Sequence, residues 1–174
     1  LKAGGEPSKC TYAGVGKTEQ EIRYALAQGI YCFNVESEAE LRAINAIAAS
    51  MGVKAPVAVR VNPNIDAHVD AHVATGLGDS KFGVKLTEVI PLYEKAAKLP
   101  MIRIEGISCH IGSQVESAEP YLRMVTVLAG FVNELARRGI VLHHIDLGGG
   151  AGVAYHPDEK PLEPSELIPA LIKA

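Results

Sequence analysis

The sequence carries no excess of basic charge. Its 17 Lys and Arg against 20 Asp and Glu leave a net charge of −3. Nucleic-acid binders carry basic patches, so no nucleic-acid partner is expected. No apolar run approaches the roughly 18 residues of a membrane span, so no membrane partner is expected either. The cysteines are few and odd in number: Cys10, Cys32 and Cys109 have neither metal-site spacing nor the even count of a disulfide framework. That favours a reducing, cytoplasmic setting. The N-terminal Leu1-Lys2-Ala3-Gly4-Gly5-Glu6 has no apolar signal core and no initiator Met, and it reads as the middle of something longer. What remains is an ordinary globular composition, 48% apolar and 21% charged over 174 residues, which suits one domain.

The densest feature is Ile145-Asp146-Leu147-Gly148-Gly149-Gly150-Ala151-Gly152, where an apolar strand runs into four glycines in five residues. Glycine costs conformational entropy, so such a cluster marks a sharp bend or a close approach of the backbone to something else. At a strand end, successive bare N–H groups make a concave anion site. A flexible turn accounts for the glycines equally well. A second strand end, Cys109-His110-Ile111-Gly112-Ser113-Gln114, adds a His, a Gly and a Ser within reach of the same place.

Strand and helix alternate five times. Strands are expected at 10–14, 31–35, 57–61, 102–109 and 141–147. Thr18 with Glu21 and Ser37 with Glu40 read as capping boxes opening the first two helices. Leu41, Ile44, Ile47 and Met51 recur at helical spacing in the second. A third helix is expected over 87–99, halted by Pro100. A fourth is expected over 120–138 with Leu122, Val125, Leu128, Val132 and Leu135 inward, and a last one begins near Ser165. Between Asn62 and Phe82 the periodicity lapses, which suits a functional loop or lid. Such alternation gives a parallel sheet with right-handed crossovers, closed as a barrel or open and doubly wound. In both, ligands sit at the carboxyl ends of the strands. There the sequence puts Gly14 to Lys17, Asn34 with Glu36, Arg60 with Asn62, His110 to Gln114, and Gly148 to Gly152.

Several motif matches fail. Gly16-Lys17-Thr18 lacks the P-loop glycine five positions earlier, where Thr11 stands, and a dinucleotide fingerprint counted from Gly148 would need glycine at Val153. His68 and His72, with Asp66 and Asp70, have helical metal-ligand spacing, but the surrounding glycine and proline favour a solvated loop without metal. His143 and His144 lie in a predicted strand, where a hydrogen-bonded core histidine is the expectation.

Five segments, taken in order, resemble the diaminopimelate decarboxylase family: Phe33-Asn34-Val35-Glu36-Ser37, Val59-Arg60-Val61-Asn62-Pro63, Lys81-Phe82-Gly83, Cys109 to Gln114, and Asp146 to Gly150. These are pyridoxal-phosphate decarboxylases with an alanine-racemase-like barrel, and the likeness covers nearly the whole chain. It implies an α/β fold in which residues 1–174 are part of a TIM (β/α)8 barrel, about its third to seventh strands. The first strands, the last strand and a carboxy-terminal β-domain would lie outside. It implies pyridoxal 5'-phosphate as cofactor, with His110 stacked on its ring, Arg60 near its phenolic oxygen, and Ser113 and the amides of Gly148, Gly149 and Gly150 on its phosphate. Lys81 would lie by the lid and the subunit interface of a homodimer. The implied reaction is decarboxylation of a small amino acid, meso-2,6-diaminopimelate, to L-lysine. The family's Schiff-base lysine would precede Leu1, so the 174-residue chain alone is expected to be inactive. An ornithine- or arginine-type decarboxylase, or a non-catalytic phosphate-binding α/β domain, are the alternatives.

Overall fold

The computed structural model describes residues 3–66, 82–158 and 160–174. After a 3-10 turn at Pro7–Lys9 come β1 (Thr11–Tyr12), α1 (Glu19–Ala27), β2 (Cys32–Val35), α2 (Glu38–Met51), β3 (Ala55–Asn62), β4 (Val84–Lys85), α3 (Leu86–Ala96), β5 (Ile102–Cys109), α4 (Glu119–Arg137), β6 (His144–Asp146) and α5 (Pro164–Lys173). Every strand pair is parallel. The order β1-β2-β3-β5-β6 follows the sequence, with β4 added at the far end of β3. Right-handed crossovers in an order that never reverses put all the helices on one face. A doubly wound sheet needs a reversal to cover both faces. The sheet is therefore a segment of a (β/α)8 barrel.

The two faces have different chemistry because strand side chains alternate. On β3, Val57, Val59 and Val61 face the helices and are buried with Phe33, Val35, Leu41, Ile44, Leu92 and Tyr93 in one apolar core. The intervening Arg60, together with Asn34, Ser108 and Asp146, lines a cleft on the inner face. A register shift between Val57 and Ala58 opposite β5 places Glu105 as an extra residue before Gly106. The Tyr93 hydroxyl crosses the core to donate to the Gly106 carbonyl at 2.7 Å.

Several boundaries differ from the sequence expectation. The first strand contracts to Thr11–Tyr12 and the fifth expected strand to His144–Asp146. Both are sheet edges among the described residues, with a ladder on one side only. Two-sided β3 extends instead to Ala55–Asn62. The third helix stops at Ala96, short of Pro100, and keeps Pro91 within it. On α4 the buried stripe is Tyr121, Met124, Leu128 and Leu135. Leu122, Val125 and Val132 are only half-buried, so the helix is rotated by part of a turn from the expected face. His143 is exposed. His144 is no hydrogen-bonded core residue: both ring nitrogens are enclosed and form no hydrogen bond among the described residues.

Candidate functional site

The carboxyl ends of β2, β3, β5 and β6 meet around a cleft of about 200 Å³ lined by Asn34, Arg60, Ser108, His110, Asp146 and Gly148. The loops after β5 and β6 are zipped together. The Val115 amide donates to the Gly150 carbonyl and the Gly152 amide to the Val115 carbonyl, each at 2.9 Å. Val115 pairs with Ala151 in a parallel bridge. The Gln114 side chain spans the same gap, donating to the Val153 carbonyl at 3.0 Å and accepting from its amide at 3.2 Å. His110 and the triple glycine, 38 positions apart at their nearest (148 minus 110), thus share one rim.

Within that rim, Asp146 sets the glycine turn. Its Oδ1 accepts from the Gly148 amide at 2.8 Å, and its Oδ2 accepts from Asn34 Nδ2 at 2.8 Å. Asn34 also donates to Ser108 Oγ at 3.1 Å, and its own Oδ1 is buried without a partner among the described residues. The Gly149 amide approaches His110 Nδ1 at 3.4 Å and the Gly149 carbonyl accepts from the Tyr121 hydroxyl at 3.0 Å. An accepting Nδ1 puts the proton of the neutral imidazole on Nε2. Burial, then the Arg60 charge, holds His110 below the ordinary histidine value, with Asp146 pulling the other way. The ring is therefore neutral near pH 7. Gly150 admits no other residue: its φ is +91° and a Cβ there would fall 1.9 Å from the Gly112 carbonyl oxygen. Gly149 is different, since a Cβ on it would meet nothing within 4 Å.

Arg60 projects from the middle of the sheet into this cleft. Its Nη1 donates to Glu36 Oε1 at 3.0 Å, with both side chains buried. Its guanidinium lies 5.0 Å from the centre of the Phe82 ring. Lys17, in the loop after β1, is committed elsewhere. Its ammonium donates to Gly14 O at 2.6 Å, Asn34 O at 2.9 Å and Glu40 Oε1 at 2.5 Å, which uses all three donors.

The structure thus brings Arg60, His110 and Gly148 to one cleft, while Gly149 approaches His110 and, with Gly150, lines the neighbouring groove beside α5. Ser113 sits exposed on the same loop as His110. Lys81, His68, Asp70 and His72 lie outside the described residues. In the sequence Asn34, Glu36 and Asp146 stand at strand ends with no part assigned to them. Their connections run between strands, and nothing local announces them. A cleft lined by an imidazole ring, a guanidinium and a glycine-backbone edge suits a planar, phosphorylated ligand. By contrast, the apolar groove of about 460 Å³ beside Pro7, Cys10, Tyr12 and Tyr24 lies away from every one of these groups.

The family model described as "Pyridoxal-dependent decarboxylase, pyridoxal binding domain" matches residues 1–174. Diaminopimelate decarboxylase of Pseudomonas aeruginosa is 47% identical over 162 residues, 93% of this chain and 39% of that protein. The Vibrio cholerae diaminopimelate decarboxylase is 45% identical over 172 residues, 99% of this chain and 41% of that protein. The chain therefore spans about 40% of the length of these relatives. The crystal structure of diaminopimelate decarboxylase from Helicobacter pylori complexed with L-lysine superimposes with a TM-score of 0.94 at 37% identity, covering 99% of this chain and 43% of that one.

Proposed function

The chain belongs to the pyridoxal-binding domain family of the pyridoxal-dependent decarboxylases, and from that premise we propose that the protein carrying it decarboxylates meso-2,6-diaminopimelate to L-lysine and carbon dioxide. The observation that carries the reading is the meeting of His110, Arg60 and Gly148, the first residue of the triple glycine, in one cleft, in a chain 47% identical to a diaminopimelate decarboxylase. The inner face of the partial barrel receives the cofactor. His110, neutral at Nδ1, offers a flat ring for stacking, and Arg60 offers a fixed cation at the ring's edge. Ser113 and the amides of the Gly148 to Gly150 run hold the phosphate. The Gly148 amide is engaged by Asp146 and the Gly149 amide leans on His110 Nδ1 at 3.4 Å, so a phosphate would take the Gly150 amide first and the Gly149 amide in place of that longer contact. When bound, pyridoxal phosphate supplies the electron sink for breaking the carbon–carbon bond, while the protein supplies orientation and electrostatics.

The share of each relative that the chain spans supports reading residues 1–174 as part of a larger barrel domain. The family resemblance extends this to a cytoplasmic homodimer acting on a free amino acid. Free thiols at Cys10, Cys32 and Cys109 accord with a reducing compartment. The test is carbon dioxide release by the full-length protein from meso-diaminopimelate, L-ornithine and L-arginine. Turnover of meso-diaminopimelate alone is expected, and preference for either of the others reassigns the substrate. The isolated 174-residue chain is expected to release none, because covalent catalysis needs a positioned amine, the resemblance implies a Schiff-base lysine other than those of residues 1–174, and Lys17 is fully engaged.

A further inference from the structure

Among the described residues, two buried ion pairs lie at the carboxyl end of this sheet, and they differ in what they face. Lys17 and Glu40 close on each other, with the ammonium's three donors consumed inside the protein. Arg60 and Glu36 do not close: Arg60 still lines the cleft. Glu36 has two obligations. Oε1 accepts from Arg60 Nη1 at 3.0 Å, and Oε2 accepts from the Gly83 amide at 3.0 Å. The second bond fixes the backbone directly beneath Phe82, whose ring covers the guanidinium at 5.0 Å. Gly83 is needed for that approach, since its φ is +75° and a Cβ would fall 2.8 Å from the Asn62 amide nitrogen. One carboxylate from the end of β2 therefore aims the arginine of β3 and also places the ring that roofs it.

We propose that Glu36 is a positioning residue for the cofactor: it acts through Arg60, presetting the guanidinium toward the edge of the bound ring. A guanidinium on a long side chain loses much rotamer freedom when it is held. Holding it before the ligand arrives removes that cost from binding. The inference rests on the functional reading above, which makes pyridoxal phosphate the occupant of the cleft.

The test uses the full-length apo-protein titrated with pyridoxal phosphate, followed by cofactor absorbance, with the melting temperature of each apo-variant measured alongside. Glu36→Gln and Arg60→Gln are each expected to weaken binding by about tenfold or more, which is about 1.4 kcal/mol. The double variant is expected to be no weaker than Arg60→Gln alone, because Glu36 has nothing left to aim. The double variant also leaves no unpaired buried charge, so it keeps the test open if a single variant folds poorly. Tyr93→Phe is the structural control. It removes the core hydrogen bond to Gly106 and should lower the melting temperature while leaving affinity unchanged. Glu36→Asp should restore part of the affinity. Unchanged affinity in Glu36→Gln, or fully additive losses in the double variant, overturns the proposal alone. No binding of pyridoxal phosphate by the unaltered protein overturns the functional reading and this proposal together.

Discussion

His144 is a polar side chain in a setting that gives it no polar partner. Its ring packs 5.0 Å from that of Tyr31, and neither nitrogen finds a hydrogen bond among the described residues. Burial holds its proton affinity below the ordinary value, with Asp146 and Glu105 pulling weakly upward. His110 shifts the same way, through burial and Arg60. The sign of the consequence follows from proton counting. Where the folded value is lower, the unfolded chain binds more protons in the window below about pH 6.5, so stability rises with pH there. Stability is complete above the ordinary histidine value and is lost as pH falls through the lowered one. Denaturant unfolding of the full-length apo-protein should therefore show a loss between about pH 7 and pH 5. His144→Leu should flatten that slope and, near pH 8, stay within about 1 kcal/mol of the original, because an enclosed group without partners contributes little when neutral. A slope unchanged in His144→Leu would assign the acid sensitivity to His110 or to carboxylates.

Among the elements, the glycine turn after β6 shows why one triple glycine is not three equal positions. Gly150 is required by the protein itself, through its left-handed backbone and its approach to Gly112. Gly149 has neither constraint, so its small size answers to whatever sits beside it. Gly150→Ala should cost about 1–3 kcal/mol of stability in strain, visible as a lower melting temperature without any ligand. Gly149→Ala should leave the apo-protein's melting temperature alone and weaken pyridoxal phosphate binding. If Gly149→Ala binds normally, the phosphate does not approach that amide. The turn was legible in the sequence as a glycine cluster, but the division of labour within it depends on a loop nearly forty positions away. The capping boxes show the same boundary between local and distant information. Thr18 and Glu21 form theirs as the sequence predicts, with both reciprocal bonds present. Ser37 caps α2 as expected, yet Glu40 does not complete the box. Its carboxylate takes the Lys17 ammonium and the Glu36 amide instead, since a charged donor in a buried site outcompetes an exposed amide. Glu36 itself was unreadable for that reason. Its partners Arg60 and Gly83 stand 24 and 47 positions on, and no local pattern marks a residue whose whole role is to join two distant segments. Helices came through because periodicity is local, although the buried face of α4 is rotated from the expected one by the neighbours it packs on. Edge strands did not, because their length depends on how many neighbours they have.

On the scale of the whole molecule, a barrel segment has a problem that a complete barrel lacks. A closed sheet has no edges, whereas β1 and β6 each carry a ladder on one side only among the described residues. The β6 side is also apolar. Val141, Ile145, Ile168 and Ile172 are 61%, 48%, 50% and 80% exposed, and a groove of about 590 Å³ runs between α5 and the glycine turn. Exposed apolar surface next to an open strand edge is the usual template for association. The brevity of the two edge strands, two and three residues, limits backbone pairing, so the driving force is the side-chain patch. The 174-residue chain prepared alone should therefore self-associate, with a mass by light scattering that rises with concentration. Replacing Ile168 and Ile172 together by Lys should lower that mass without unfolding the chain, because both side chains lie outside the core described above. In the full-length protein the same pair of substitutions should instead lower stability, if those positions are covered there by the remainder of the barrel. A monomeric 174-residue chain at every accessible concentration would show that the patch does not drive assembly. Substitutions neutral in the full-length protein would show that the barrel closes somewhere other than over α5.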